Sequence, residues 1–442
     1  MKFRSPALPL AAAALTFVVS ISVQGQAPQG QGAEPAAPQA DGRQGGAGRQ
    51  GGGPGGGRGQ VTLPDGDGKE LVEKTCAACH GLNLIANSRG HSREGWDALI
   101  STMVSLPDDD DEGTVLGYLE MNFPEKPGPD AVLVPGPISV QFREWLLPTL
   151  GQRPHDPLAA ADGSIWWTGQ WAGRLGRIEP ADMRMREFPL PTADTQAHGL
   201  IEDAQGNIYY TAINKHYIGK FDPRTRMVTE YPVPMPGRSP HTPIIDQKGM
   251  VWFTTQSGHV GRLDPASGEV RVQATPTMGT YPYGIQVAAD GTPWYVDFRG
   301  PRVGKVDPAT MQITEYPLPN ADARPRRIAI TADGNIWYTD FPRGMIGRFD
   351  PRTQEVQEFP SPSGPESEPY GIAAVGNVIY YSESGVRPNT LVRYDTQNNI
   401  WQSWAIPAGG GVVRHMMADR RGNITMAESG VNRVALATIV RP

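Results

Sequence analysis

The sequence predicts a multidomain chain: a small all-α domain followed by an all-β seven-bladed β-propeller. Three observations carry this. The stretch KTCAACHG holds the only two cysteines, near the start of a short helix-patterned segment. A strand-rich unit then repeats seven times in the rest of the chain, and a proline-rich stretch, FPEKPGPDAVLVPGP, separates the two. At 442 residues there is room for two or three domains, each able to bury a core. The formal net charge of -6 arises from interspersed acids and bases with no basic stripe, which excludes nucleic acid as the main partner.

Residues 1–25 place Lys2 and Arg4 before an apolar run that ends in small residues. This is the layout of a signal peptide, and it predicts a periplasmic or secreted protein with no integral membrane segment after cleavage. Retention as an anchor is the alternative. Residues 26–64 are dominated by Gly, Gln, Ala, Pro and Arg, too polar to offset chain entropy, and read as a disordered linker.

Residues 65–124 form the predicted helical domain. Asp67 is expected to cap a helix through KELVEKTCAACH, with Cys76 and Cys79 on one face and His80 next. Two thiols so placed can each add to a vinyl group of one porphyrin, with His80 turned under the iron; Cys-x-x-Cys-His is the attachment signal of covalent haem c. A zinc site lacks further cysteines, and a redox disulfide lacks its βαβ context. Ser92 is expected to cap a second helix carrying Trp96, Leu99, Ile100 and Met103 on one stripe. Met103 is therefore the expected second iron ligand, with His91 and Met121 as alternatives. Such ligation suits electron acceptance. Asp108 to Glu112 offset a helix dipole, or dock a basic redox partner. Gly66 to Phe123 resembles single-haem cytochrome c domains, a resemblance that implies electron transfer to a partner protein.

Beyond the linker at 125–138, seven units share one pattern: AAADGSIWWT, EDAQGNIYYT, IDQKGMVWFT, VAADGTPWYV, ITADGNIWYT, AAVGNVIYYS and ADRRGNITMA. Their turn glycines, Gly163, Gly206, Gly249, Gly291, Gly334, Gly376 and Gly422, lie 42 to 46 residues apart. Asp-Gly-like turns between apolar runs signal hairpins, and four short strands per period signal propeller blades. The last unit lacks a fourth strand, which residues 139–149 (ISVQFREWLLP) are expected to supply, closing the ring of residues 139–442 and leaving no open edge.

Two rows are expected at one end of the central channel. The residues entering the first strand of each blade are His155, His198, His241, Tyr283, Arg326, Tyr370 and Arg414, with His415 adjacent. Those leaving the second strand include Asp297, Asp340, Glu383 and Glu428. This sidedness suggests a rim for a small polar substrate, a metal held by His155, His198 and His241, or a merely solvated funnel.

The units GNIWYTDFPRGMIGRFDP and ITEYPLP resemble the virginiamycin B lyase family. The resemblance implies elimination chemistry that opens a cyclic depsipeptide, with a histidine as base and carboxylate-bound Mg²⁺ polarising the ester. It points to His415 as base and Glu428 as metal carboxylate, with Arg414 in the place of the family's histidine and Val412 or Val413 in that of the second metal carboxylate. The primary functional expectation is haem-based electron transfer coupled to a propeller that binds a substrate or redox partner. The alternatives are a lyase or hydrolase at the channel mouth and a non-catalytic docking module.

Overall fold

The computed structural model describes residues 61–78, 81–126, 128–179 and 181–440. The expected signal peptide and most of the linker lie outside them, as do Cys79 and His80.

Four helices come first: α1 (Lys69–Cys76), α2 (Asn83–Ala86), α3 (Arg93–Ile100) and α4 (Asp109–Asn122). Their apolar faces meet around Val72, Trp96, Leu99, Val115 and Leu119. Ser92 caps α3 by accepting from the Gly95 amide, as its side chain and position predict. Asp108 caps α4 in the same way, and the acids behind it face the positive end of the helix dipole. Asp67 does not cap α1. Gly68, with φ of 88°, occupies that place, a conformation that a residue with a Cβ adopts at a cost. Leu63, expected in the linker, is 1% exposed and belongs to this core. The structure supports a helical region here, and not the finer assignment to a cytochrome c fold.

The expected linker at 125–138 is a strap on blade six. Val134 exchanges hydrogen bonds with Ser403, and Asp130 bridges to Arg387.

Seven four-stranded antiparallel sheets follow. Blades one to seven begin with the strands Pro154–Ala159, Ala197–Glu202, Pro240–Ile245, Pro282–Val287, Pro325–Ile330, Pro369–Val375 and Val413–Ala418. The ring closes as predicted: Ser139–Leu146 pairs along its whole length with Arg433–Val440 as the outer strand of blade seven. That removes the one open edge the last unit would leave. Aromatic side chains weld neighbouring blades, as where Trp166 of blade one packs 5.9 Å from Phe221 of blade two. In blade one, Gly176 lies opposite Trp167, whose ring covers it so closely that a Cβ would sit 1.9 Å from the indole. The same pairing recurs at Tyr210 and Gly219, Phe253 and Gly261, Tyr295 and Gly304, and Tyr338 and Gly347.

The helical region sits on the propeller end where the first strands begin. The Gly151 amide donates to the Thr102 carbonyl at 2.7 Å, and Arg387 contacts Gly90 and Glu125. It therefore covers part of the channel mouth, over blades one, six and seven.

Candidate functional site

A β-bulge at the same place in every blade builds the mouth. In each first strand the register breaks after its opening residue and resumes three residues later. Two residues per blade are thereby freed from the ladder and turned to other use. The outer row is His155, His198, His241, Tyr283, Arg326, Tyr370 and Arg414. The inner row is Asp156, Gly199, Thr242, Gly284, Arg327, Gly371 and His415. A hydroxyl on the second strand fixes the bulge in five blades. Thr211, for example, accepts from the Gly199 amide and donates to the His241 carbonyl of the next blade. Thr168, Thr254, Thr339 and Ser382 act alike. The repeated hydroxyl of the IWWT and IYYT units is the signal in the sequence that marks this staple.

The outer row is close-packed. The rings of His155 and His198 have centroids 3.6 Å apart, His198 and His241 3.9 Å, and His241 and Tyr283 4.0 Å. The Tyr283 and Tyr370 hydroxyls of blades four and six share a hydrogen bond. Arg326 lies among four aromatic rings, 3.8 Å from the Phe341 centroid and 4.3 Å from that of Tyr370. The Arg414 guanidinium is 5.8 Å from the Tyr370 ring.

Arg327, which sequence reasoning missed, ties the channel together. It bonds the Asp156 carboxylate at 3.0 Å, the Thr242 hydroxyl at 3.1 Å and the Arg414 carbonyl at 3.2 Å, and so joins blades one, three, five and seven. Its only mark in the sequence is an arginine in a row otherwise held by small or short polar residues and one histidine.

Charge and burial set the protonation states. Desolvation, then neighbouring histidines or arginines, hold His155, His198 and His241 well below the usual imidazole value, so all three are neutral. His415 is neutral for the same reasons, burial first and Arg327 second. Burial pushes the Tyr370 phenol up, but Arg326, Arg414 and Arg327, with the bond from Tyr283, pull it down to about 7. Desolvation raises Asp156 to about 6 against the pull of Arg327.

The exit-row carboxylates are occupied elsewhere. Asp297 accepts from the Tyr281 and Arg299 amides, and Asp340 from the Arg324 amide and the Arg343 side chain. Glu383 accepts from Ser361, Ser363 and Thr390. They clip loops between strands. Glu428 is fully buried, and burial followed by the neighbouring Glu144 raises its carboxyl far above the usual range, so it is neutral.

The family match spans residues 137–394, more than half of the chain. The chain belongs to the virginiamycin B lyase family. The match ends within blade six and does not reach the blade-seven strands that carry Arg414, His415 and Glu428. A solved streptogramin B lyase structure is 26% identical, with a TM-score of 0.62, over 68% of this chain and 98% of its own. Selenomethionine-substituted virginiamycin B lyase from Staphylococcus aureus is 24% identical with a TM-score of 0.62, over 68% of this chain and all of its own. A catalytically inactive histidine-to-alanine variant from the same organism, with quinupristin, is 23% identical at the same TM-score and coverage. These last two likenesses establish the fold. No curated protein matches the chain.

These findings correct the cofactor and enzyme expectations. The shared family is one of propeller lyases, which favours lyase or hydrolase-type activity over an electron-transfer oxidoreductase. The expected haem c on Cys76 and Cys79, with His80 and Met103 on its iron, is corrected as well: the family match and the related structures support a propeller lyase and give no support to a haem. The metal-capable side chains brought together among the described residues are His155, Asp156 and His198, whose donor atoms lie within 4.8 Å of one another. Met103 and Cys76 line a cavity at the seam between helices and propeller. His91 is buried edge-on to Trp96, and Met121 is 80% exposed. Mg²⁺ is not supported either. It takes oxygen ligands, whereas the cluster offers two imidazoles and a carboxylate already bound to Arg327. Val412, at a place expected of the second metal carboxylate, is a buried apolar residue. Among the described residues no helix is long and apolar enough to cross a membrane.

Proposed function

We propose that the propeller mouth is the reactive site of a lyase that cleaves an ester by elimination, with Tyr370 as base and arginine in the role the family resemblance gives to metal. The observation that carries this is a phenol set among three buried guanidiniums. A base works best with a pKa near the working pH, and Tyr370 at about 7 meets that condition where strongly depressed His415 does not. The Tyr370 oxygen takes the proton β to the ester oxygen. The carbon–oxygen bond breaks, its electron pair leaves with the carboxylate, and a carbon–carbon double bond forms. Arg326 and Arg414 face the charge that develops on the departing carboxylate, in a site from which water is largely excluded. His415, neutral and with Nδ1 unpartnered, is available to orient the substrate.

In the related S. aureus enzyme a histidine-to-alanine change is catalytically inactive. Here Arg414 stands in the corresponding place by the sequence resemblance, which shifts the work to its neighbours. Export of the protein, with residues 1–25 as signal and 26–60 as tether, remains part of this reading and suits an enzyme that meets its substrate outside the cytoplasm.

The test is the rate of ring opening of a cyclic depsipeptide as a function of pH. The rate should rise with pH through about 7 as Tyr370 loses its proton, and Tyr370→Phe should lower kcat by about 100-fold or more. Full activity in Tyr370→Phe would reject the assignment.

A further inference from the structure

The mouth carries more positive charge than it can neutralise. Arg153, Arg326, Arg327 and Arg414 act electrostatically on one small group of residues. Asp156 there is already held by Arg327 and His155, and Asp297, Asp340 and Glu383 at the same end are claimed by loop amides, hydroxyls and other arginines. Arg326 and Arg414 are 4% and 7% exposed. Nε and Nη1 of Arg326 and Nε of Arg414 are sealed with no hydrogen-bond partner. Buried guanidiniums left in this state call for an anion. A cation would meet repulsion from all of them.

A second feature adjoins this one. The cavity at the seam is about 130 Å³ and is lined by Ile100, Met103, Val104 and Val115 from the helical region, with Trp171 and Arg153 from blade one. That volume is slightly below the roughly 150 Å³ of a dry apolar cavity that holds benzene, so one ring is the upper limit of what it takes. Arg153 belongs to both features: its guanidinium stacks 4.5 Å above Trp171, and its charge acts on Arg414 and Tyr370.

We propose that the mouth and seam together bind a carboxylate that bears one ring-sized apolar body, with the carboxylate on Arg414 and Arg326 and the body in the seam cavity. This deepens the reading of the mouth as the reactive site, because such an acid is the acyl half that elimination releases. The helical region is then part of the binding site and sets which acyl groups fit.

Calorimetric titration of the full chain with phenylpropionate, acetate and neutral phenylpropionamide tests this. Phenylpropionate should bind, and both acetate and the amide should bind at least about tenfold more weakly, since each lacks one of the two contacts. Arg414→Gln should weaken phenylpropionate by about tenfold or more, the worth of one charge-assisted hydrogen bond. Arg153→Gln, at a residue less buried than Arg414, should weaken it as well and serves if Arg414→Gln does not fold. Met103→Trp, which fills the cavity, should erase the preference for phenylpropionate over acetate. The proposal is overturned if the amide binds as well as the acid, if neither acid binds, or if Met103→Trp leaves the preference intact. Binding as described without any ring opening would reject the lyase reading alone; ring opening without acid binding would reject this proposal alone.

Discussion

Replacing Arg327 by methionine removes the tie that crosses the channel. Arg327 and Asp156 are each 1% exposed, so the carboxylate left behind has no water and keeps only its contact with the His155 imidazole, which is held neutral by burial. Stranding one member of such a pair costs about 3–5 kcal/mol. The loss has a pH signature. Asp156 is raised to about 6 in the intact protein, above its unfolded value. An acid so shifted stabilises the fold below its unfolded pKa and loses that contribution as pH rises through the folded pKa. Without Arg327 the folded pKa moves higher still, so the gap between variant and parent should open above pH 6 and widen by about 1.4 kcal/mol per pH unit. Urea denaturation at pH 5, 6, 7 and 8 (roughly one-unit steps spanning the shift) measures it. Pairing Arg327→Met with Asp156→Leu should recover most of the loss, because an apolar pair carries no stranded charge. A penalty below about 1 kcal/mol at every pH, or a double variant no better than the single, would refute the reasoning.

Three further outcomes follow from the same geometry. Thr211→Val leaves the Gly199 amide and one bond of the His241 carbonyl unmade, and should cost about 1–3 kcal/mol by chemical denaturation. Gly219→Ala would place a methyl group 2.1 Å from the Tyr210 ring, and thermal unfolding should show a loss of about 1–3 kcal/mol or more. Ser92→Ala removes the cap of α3 and should cost about 1 kcal/mol, read from the denaturation of the helical region.

The propeller was legible because its information is local and repeated. Each blade announces its turn glycine, blades one to five carry an aromatic strand over a covered glycine, and Ser139–Leu146 could be matched to a missing strand by composition alone. The outer row was legible for the same reason, since a periodic fold carries equivalent positions to equivalent places. Of the inner row, only His415 was. Strict alternation predicts one inward residue per strand start, and the bulge supplies two, so Arg327 and Asp156 went unread. The carboxylates of the exit row misled in the opposite way. Asp297, Asp340 and Glu383 share an end of the channel with the histidines, but loop amides and hydroxyls claim them, and nothing in a strand pattern foretells that. Asp67 failed as a cap because Gly68 could adopt a backbone that aspartate does not favour. The haem expectation rested on Cys76, Cys79, His80 and Met103, of which only Cys76 and Met103 fall among described residues.

The most direct test of the central claim is the mass of the product formed from quinupristin by the purified full chain. Elimination opens the ring without changing mass, whereas hydrolysis adds one water. A lyase working through Tyr370 gives a linear product of unchanged mass in the parent protein and none in Tyr370→Phe. A ring left intact by the parent, or opened equally by both proteins, would contradict the account.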